Sequence, residues 1–163
     1  MVRTHPQWLA ARELARSGRI GRLRTVEAFF SYFNRDPSNI RNIPAAGGGA
    51  LMDIGCYPIQ ISRFVYGAEP RRVLGLVERD PDMRTDRLTS AILDFEAGRA
   101  AFTCSTQLVA HQRVELIGTR GRVVRLDPWH QPYLYAGTRD GYRLTSLGPD
   151  GRENTPDDIS LSK

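Results

Sequence analysis

The order of apolar and polar positions along the chain predicts alternating helices and strands. Residues 6–17 open with a proline and place Trp8 and Ala15 on one apolar stripe, as an amphipathic helix does. Residues 23–33 are rich in β-branched and aromatic side chains, which predicts a strand. Prolines and polar residues then predict a loop over residues 34–46.

A second helix is predicted over residues 49–66, where Pro58 should kink or restart it and Gly67 should end it. Five strands are predicted after this helix, over residues 72–79, 88–95, 100–109, 113–117 and 123–126. Tight turns at residues 96–98 and 118–121 are expected to join neighbouring strands as hairpins. The second half of the chain is therefore predicted to consist mainly of strands.

This succession of elements predicts an α+β fold with a mainly antiparallel, open-faced sheet and helices on one of its faces. Two helices are too few to cover both faces of a sheet of this size. We therefore expect the open face to be covered by a partner.

Net charge and composition narrow the class of protein. The net charge is +5, and every basic residue except Lys163 is an arginine, interleaved with acidic residues over most of the chain. That distribution is typical of a solvated surface and does not predict nucleic-acid binding. No apolar run is long enough for a membrane span, and Cys56 and Cys104 form no metal or redox motif. We therefore expect a reduced, cytoplasmic protein that binds neither nucleic acid nor membrane.

The segment GGGALMDIGCYP, residues 47–58, carries the clearest chemistry. Asp53 and Tyr57 are four residues apart and share one face of the predicted helix. A carboxylate beside a phenol is able to orient a substrate hydroxyl, and a phenol with a lowered pKa transfers protons. The structural alternatives are an acid that complements the helix N-terminus at Asp53 and a half-buried aromatic at Tyr57.

Six segments carry a resemblance to a known family of oxidoreductases. They are RTHPQW at 3–8, SGRIG at 17–21, NIRN at 39–42, GGGALMDIGCY at 47–57, GAEP at 67–70 and ELIGTRG at 115–121. Through these segments, residues 1–126 resemble the C-terminal domain of the glucose–fructose oxidoreductase / inositol dehydrogenase (Gfo/Idh/MocA) family. The resemblance implies a substrate-binding and oligomerisation domain, with homo-oligomers formed through the open face of the sheet.

Tyr57 stands where many family members have a histidine, and this resembles the branch of sugar and dihydrodiol dehydrogenases. The resemblance implies that Tyr57 is the acid/base at the substrate hydroxyl. It also implies that Asp53 orients the substrate or the tyrosine. The implied reaction is hydride exchange between NAD(P)(H) and a carbon atom of a sugar or diol.

Four further residues are candidates for the same pocket. Asn39 and Arg41 belong to the polar loop before the helix and are expected to bind the substrate, although turn formation explains the asparagine equally well. Arg3 and His5 are implied by the resemblance to lie near the nicotinamide end of the pocket. The predicted site therefore gathers residues from three separate segments.

Two features of a complete nicotinamide enzyme are missing from this sequence. A free tyrosine has a pKa of about 10, and the family provides a nearby cation from a Glu-Lys-Pro motif on its nucleotide-binding domain. This chain contains neither that motif nor a Gly-x-Gly-x-x-Gly fingerprint. We therefore expect the cofactor domain to be absent and the chain to be inactive alone. The rival interpretation is a non-catalytic module that dimerises or binds a partner through the open sheet face.

Residues 127–163 depart from the oxidoreductase pattern and are predicted to form a turn-rich tail. The segment DGYRLTSLGPDG at 140–151 and the acidic residues after it resemble the C-terminal region of major pseudopilins of type II secretion. That resemblance implies a calcium site, for which Asp150, Asp157 and Asp158 supply hard oxygen ligands. A fused sequence and a chance similarity in a turn-rich tail are the alternatives.

Overall fold

The computed structural model confirms the predicted α+β class. The described residues are 3–126, 132–137, 142–146, 152, 154, 156 and 158–162. The chain forms two compact units, one of residues 27–113 and the other of residues 1–26 with 114–163. Strands β1, Leu23–Phe33, and β5, Gln107–Gly118, each contribute residues to both units.

The unit of residues 27–113 contains most of the predicted elements between β1 and β5. They are two 3₁₀ turns, Ile40–Asn42 and Pro44–Ala46; a π turn, Leu51–Gly55; helix α2, Cys56–Tyr66; and strands β2, Arg72–Arg79, β3, Asp86–Asp94, and β4, Arg99–Ser105. Within this unit the strand order is β2-β3-β4-β1-β5. The pairs β2–β3 and β3–β4 are antiparallel, and the sheet as a whole is mixed.

Apolar side chains of α2 and of one sheet face form the core of this unit. The ring of Tyr66, the last residue of α2, stacks on Phe95 with centroids 4.5 Å apart. The register pairs Leu93 with Ala100, so their side chains share one face of the sheet. The buried side chains of this core include Ile61, Phe64, Val65, Leu93, Phe95, Ala100, Phe102 and Cys104. Each buried aliphatic or aromatic side chain stabilises the fold by about 1.5–3 kcal/mol relative to an exposed one.

The single strand predicted over residues 100–109 is wrong, because the chain divides it at Thr106. Strand β4 ends before this residue and β5 begins after it. The Thr106 amide donates to the Arg87 carbonyl at 3.2 Å, and its carbonyl accepts from the Asn34 amide at 2.8 Å. The amide and the carbonyl of Thr106 therefore bond to two different segments of the chain, and the predicted strand divides into β4 and β5 at this residue.

The helix predicted over residues 49–66 forms from Ala50 to Tyr66, and its first part is π-helical. A π turn, Leu51–Gly55, comes first, and α2 begins at Cys56, which places Pro58 in the first turn of the helix. Pro58 lacks the amide that would bond to the carbonyl of residue 54 in a regular α-helix, and the change from π to α geometry falls just before it. Asp53 therefore lies in the π turn, not in α2.

The unit of residues 1–26 and 114–163 begins with helix α1, Pro6–Arg16, which confirms the predicted first helix. Its later strands are β6, Gly121–Leu126; β7, Pro132–Gly137; β8, Tyr142–Ser146; and β9, Ile159–Ser162. Each of these strands pairs antiparallel with the one before it, starting from β5. The region predicted as a turn-rich tail thus contains three strands. The division of the chain at residue 126 stays a prediction.

No helix in the described part of the chain is long and apolar enough to span a membrane.

A fully buried carboxylate, that of Asp80, holds the loop between β2 and β3. Its Oδ2 accepts a hydrogen bond from Nε2 of Gln107 at 2.6 Å. Its Oδ1 accepts from the amides of Asp82 and Met83 at 2.8 and 2.9 Å. These bonds, with that from Gln107 the largest contribution, lower the pKa of Asp80 from 3.8 to about 2.

Because its pKa is lower in the folded chain than in the unfolded chain, ionised Asp80 stabilises the fold above pH 3.8. We expect this contribution to be lost as the pH falls from 3.8 through about 2. Urea unfolding at several pH values measures the effect. The free energy of unfolding of Asp80→Asn should vary less over that window than that of the wild type. Equal pH dependence in the two proteins would contradict the role of Asp80.

Candidate functional site

Asp53 is held by two side chains from different elements of the unit of residues 27–113. Its Oδ1 accepts a hydrogen bond from Nε of Arg41, in the first 3₁₀ turn, at 2.9 Å. Its Oδ2 accepts one from the hydroxyl of Tyr32, in β1, at 2.5 Å. The Asp53 side chain is 20% exposed and that of Arg41 is 48% exposed. The carboxylate is therefore fixed in orientation while it stays accessible to a small molecule.

The glycine run of residues 47–49 explains how the Arg41 turn meets the π turn. The amide of Gly49 donates to the carbonyl of Arg41 at 2.8 Å. A Cβ on Gly48 would lie 2.5 Å from the same carbonyl oxygen. Close packing of the two turns therefore requires glycine at this position.

Gly49 has a second role, at the start of the π turn. Its φ is +128°, and a Cβ at this position would lie 1.9 Å from Oδ1 of Asp86. Oδ2 of Asp86 accepts a hydrogen bond from the amide of Leu51 at 2.7 Å and so caps the turn. Because the Asp86 carboxylate occupies the space beside Gly49, the glycine run serves packing and does not cradle a phosphate.

Tyr57 lies near the start of α2 and is 37% exposed. Its ring lies beside that of Phe30, with centroids 6.0 Å apart. Phe30 and Tyr32 alternate along β1 and therefore share one face of that strand. Since Tyr57 contacts Phe30 and Asp53 bonds to Tyr32, the carboxylate and the phenol both project toward the same face of β1. The four-residue spacing thus keeps Asp53 and Tyr57 on one side of the helix, although its backbone changes from π to α geometry between them.

The two phenols of this site differ in chemistry. Burial, followed by the hydrogen bond to Asp53, raises the pKa of Tyr32 well above its usual range, so this phenol remains a donor to the carboxylate. The described residues provide no hydrogen bond to the Tyr57 hydroxyl, which leaves it available to a ligand. The Arg41 guanidinium places a positive charge next to Asp53. The hydrogen bond to Asp53 is the main cause that raises the pKa of Arg41.

The other predicted site residues occupy different places. Oδ1 of Asn39 accepts from the Arg41 amide at 3.1 Å and caps the first 3₁₀ turn, which explains this asparagine by turn formation. Arg3 and His5 are exposed residues before α1, in the other unit. The His5 carbonyl accepts from the amides of Trp8 and of the next residue in that helix. Roles of Asn39 in substrate binding, and of Arg3 and His5 at a nicotinamide, stay predictions.

The sheet of the same unit has a second, apolar surface. A depression of about 610 Å³ lies on it, and Asp53 and Tyr57 are not among the residues that line it. The lining includes Phe29, Leu74, Leu76, Ser90, Ile92 and His111. Leu76 is 80% exposed, and its neighbours Leu74 and Ile92 are also exposed. A contiguous exposed apolar patch of this kind is typical of an interaction surface.

The predicted calcium ligands in the tail are described only in part. Asp150 and Asp157 lie outside the described residues, whereas Oδ2 of Asp158 accepts a hydrogen bond from the Asn154 amide at 2.7 Å. No group of three His, Cys, Asp or Glu side chains in the described part of the chain is arranged to hold a metal ion. A calcium site in the tail is therefore unsupported by these residues and stays a prediction.

Two residues of the site were missed by the sequence analysis. The sequence predicts Tyr32 only as part of a strand, and the strand predicted over residues 88–95 begins after Asp86, the first residue of the observed β3. One local pattern was available for Tyr32, because alternation along β1 puts it on the same face as Val26, which is buried. No local pattern identifies Asp86 as a cap, because its partner Leu51 is 35 residues away in the sequence.

Comparison with protein families confirms both resemblances found in the sequence. The family model described as "GFO/IDH/MocA C-terminal domain" matches residues 8–124. The model described as "Type II secretion system (T2SS), protein G" matches residues 111–162. The first match covers most of the chain and includes Asp53 and Tyr57, whereas the second covers less than a third of the chain.

Individual relatives are oxidoreductases. The chain is 44% identical over 162 residues to an uncharacterized oxidoreductase, ORF334, of Rhizobium meliloti, covering 97% of the chain and 48% of that protein. It is 31% identical to the trans-1,2-dihydrobenzene-1,2-diol dehydrogenase of Sus scrofa, covering 78% of the chain and 38% of that protein.

A similar solved structure is the 3-ketoreductase KijD10 from Actinomadura kijaniata in complex with NADP and TDP-benzene. Its TM-score is 0.74 at 25% identity, and the similarity covers 86% of this chain and 45% of that one. This chain therefore spans about half the length, or less, of the relatives it matches.

Proposed function

Since this chain belongs to the GFO/IDH/MocA C-terminal domain family, we propose that it is the substrate domain of an NAD(P)-dependent oxidoreductase. The proposed substrate is a sugar or a diol that reacts at a CH–OH group. One observation carries the proposal. The Asp53 carboxylate is fixed by Tyr32 and Arg41 beside the exposed Tyr57, whose hydroxyl is left available.

In this proposal, Asp53 and Tyr57 share the work on the substrate hydroxyl. A carboxylate has about four lone-pair sites, of which the Tyr32 and Arg41 donors use two, so Asp53 retains capacity to accept from a hydroxyl group. Tyr57 accepts or returns the hydroxyl proton as the carbon changes oxidation state. The positive charge of Arg41 offsets the negative charge of Asp53. The site is therefore close to neutral overall, which suits an uncharged polyol better than a phosphorylated one.

The glycine run of residues 47–49 does not fit the pyrophosphate of a nicotinamide dinucleotide. The glycine run is occupied by the Asp86 carboxylate and by the backbone of Arg41, so it offers no pyrophosphate site. We propose that the cofactor is bound by residues other than these, as part of the whole enzyme. NADP in KijD10 supports a nicotinamide cofactor for the family.

A chimera tests the proposal. This chain would replace the matching 162-residue part of ORF334, to which it is 44% identical. We expect the chimera to reduce NAD(P) with D-glucose or with a trans-1,2-diol, and the 163-residue chain alone to show no turnover. A soluble, folded chimera that turns over none of these substrates while intact ORF334 does would contradict the proposed function.

The exposed sheet face supports a second candidate function, a non-catalytic module that dimerises. The exposed apolar residues around the depression, Leu74, Leu76 and Ile92, would be covered if the same patch of a second copy packed against them in an isologous dimer. The family resemblance implies oligomers for both candidates. They therefore differ only in whether the chain takes part in catalysis. The chimera separates the two, since a dimer without turnover fits the module alone.

Replacing Leu76 by glutamate tests pairing of two copies through this face. Leu76 pairs with Ser90 in the register and is 80% exposed. We expect L76E to run as a monomer in gel filtration at a concentration where the wild type runs as a dimer. The matched control is V77E, because Val77 is 53% exposed and points to the opposite face of the same strand. A wild-type monomer, or a dimer in both variants, would contradict pairing through this face.

A further inference from the structure

We propose that Tyr32 is a positioning residue of this site, whose phenol fixes the Asp53 carboxylate for a hydroxylated ligand. The inference rests on the proposed function of Asp53 and Tyr57. It adds a residue that touches neither the substrate nor the cofactor in the proposed reaction. Tyr32 acts through the orientation of Asp53.

The two donors to Asp53 come from separate elements and bind separate carboxylate oxygens. The Tyr32 hydroxyl and Nε of Arg41 each bind a different oxygen of Asp53, at 2.5 and 2.9 Å. A carboxylate with one donor still turns about its Cβ–Cγ bond, because either oxygen satisfies that donor. Two donors from two separate elements, one on each oxygen, select a single orientation.

Tyr32 is held more rigidly than Arg41. Arg41 lies on a short turn, and its side chain is 48% exposed, so it carries many rotamers. Tyr32 lies in β1, one residue before its end, is partly buried, and has only two χ angles. The Tyr32 hydroxyl donates to an ionised carboxylate, and such charge-assisted hydrogen bonds are stronger than neutral ones. Tyr32 is therefore the firmer of the two supports.

The backbone that carries Asp53 has π-helical geometry. Residues Leu51–Gly55 form a π turn, and turns of this kind inside helices occur frequently at functional sites. The turn leaves Asp53 20% exposed next to the start of α2. This exposure allows a ligand hydroxyl to reach the carboxylate.

The experiment compares Tyr32→Phe with Tyr66→Phe in the purified full chain. Tyr66 is the matched control because its hydroxyl donates to the Arg99 carbonyl at 2.7 Å, away from Asp53. The first measurement needs no ligand. Hydrogen exchange of the Arg41 Nε–H, followed by ¹⁵N NMR, should become faster in Y32F and stay unchanged in Y66F. The second is titration with D-glucose and with a trans-1,2-diol, followed by ¹³Cζ-tyrosine NMR at Tyr57, in which Y32F should bind about tenfold more weakly the compound that moves the wild-type resonance.

The outcomes separate this inference from the proposed function. Slow Arg41 exchange and unchanged ligand binding in Y32F would overturn the positioning role alone. A wild-type Tyr57 resonance that neither D-glucose nor a trans-1,2-diol moves would overturn the proposed function and the inference with it. Faster exchange and weaker binding in Y32F, with a Tm no lower than that of Y66F, support the inference, because a merely structural tyrosine would lower the Tm without these changes.

Discussion

Replacement of Gly49 by alanine is expected to lower the free energy of unfolding by about 3 kcal/mol. The backbone at this residue has φ +128°, a conformation that side chains other than glycine rarely adopt. In addition, the new Cβ would meet Oδ1 of Asp86 and displace the carboxylate that caps the amide of Leu51. The strain and the lost cap therefore add.

Gly47→Ala is the matched control for this change. Gly47 also has a positive φ, +75°, but a Cβ there meets nothing within 4 Å. We expect it to cost only the backbone strain, about 1–2 kcal/mol. Urea denaturation of both variants at neutral pH gives the two free energies. Equal losses in G47A and G49A would contradict the contact between residue 49 and Asp86.

Removal of the Tyr57 hydroxyl is expected to have the largest effect on activity. In the chimera with ORF334, Tyr57→Phe should lower kcat by about 10²–10⁴-fold, the usual contribution of a general acid or base. KM should change little, because the phenylalanine introduced at this position keeps the ring that lies beside Phe30. Steady-state kinetics with NAD(P) and the best substrate of the chimera measures both constants.

Tyr66→Phe serves here as the control that removes a phenol outside the site. It should leave kcat within about twofold of the parent chimera, because it alters neither Asp53 nor Tyr57. An equal fall of kcat in Y57F and Y66F would indicate a general loss of fold. A Y57F chimera with full kcat would remove Tyr57 from the mechanism.

Local sequence patterns were sufficient for the two helical segments and for several strands. The predicted helix over residues 6–17 and the strand Leu23–Phe33 were confirmed because periodicity and β-branching are properties of neighbouring residues. The strand Arg72–Arg79 was predicted with the bounds observed, since Gly67 and Pro70 mark the turn before it.

The remaining features depend on partners that are distant in the sequence. Tyr32 reaches Asp53 across 21 positions. The break at Thr106 depends on the backbones of Asn34 and Arg87, which no pattern around residue 106 reveals. The start of the second helix also depends on a distant residue, because the amide of Leu51 is capped by the Asp86 carboxylate from β3. Local propensity determined the types of these elements, and tertiary contacts determined their limits.

The central claim is that the exposed Tyr57 and the fixed Asp53 together bind a hydroxylated carbon. The most direct measurement is a titration of the ¹³Cζ-tyrosine-labelled chain with D-glucose and with a trans-1,2-diol. The Tyr57 resonance, assigned by its loss in Y57F, should move saturably, and Asp53→Asn should weaken that response while the Tyr66 resonance stays fixed. A Tyr57 resonance that neither compound moves, at concentrations up to those used for turnover, would contradict the account.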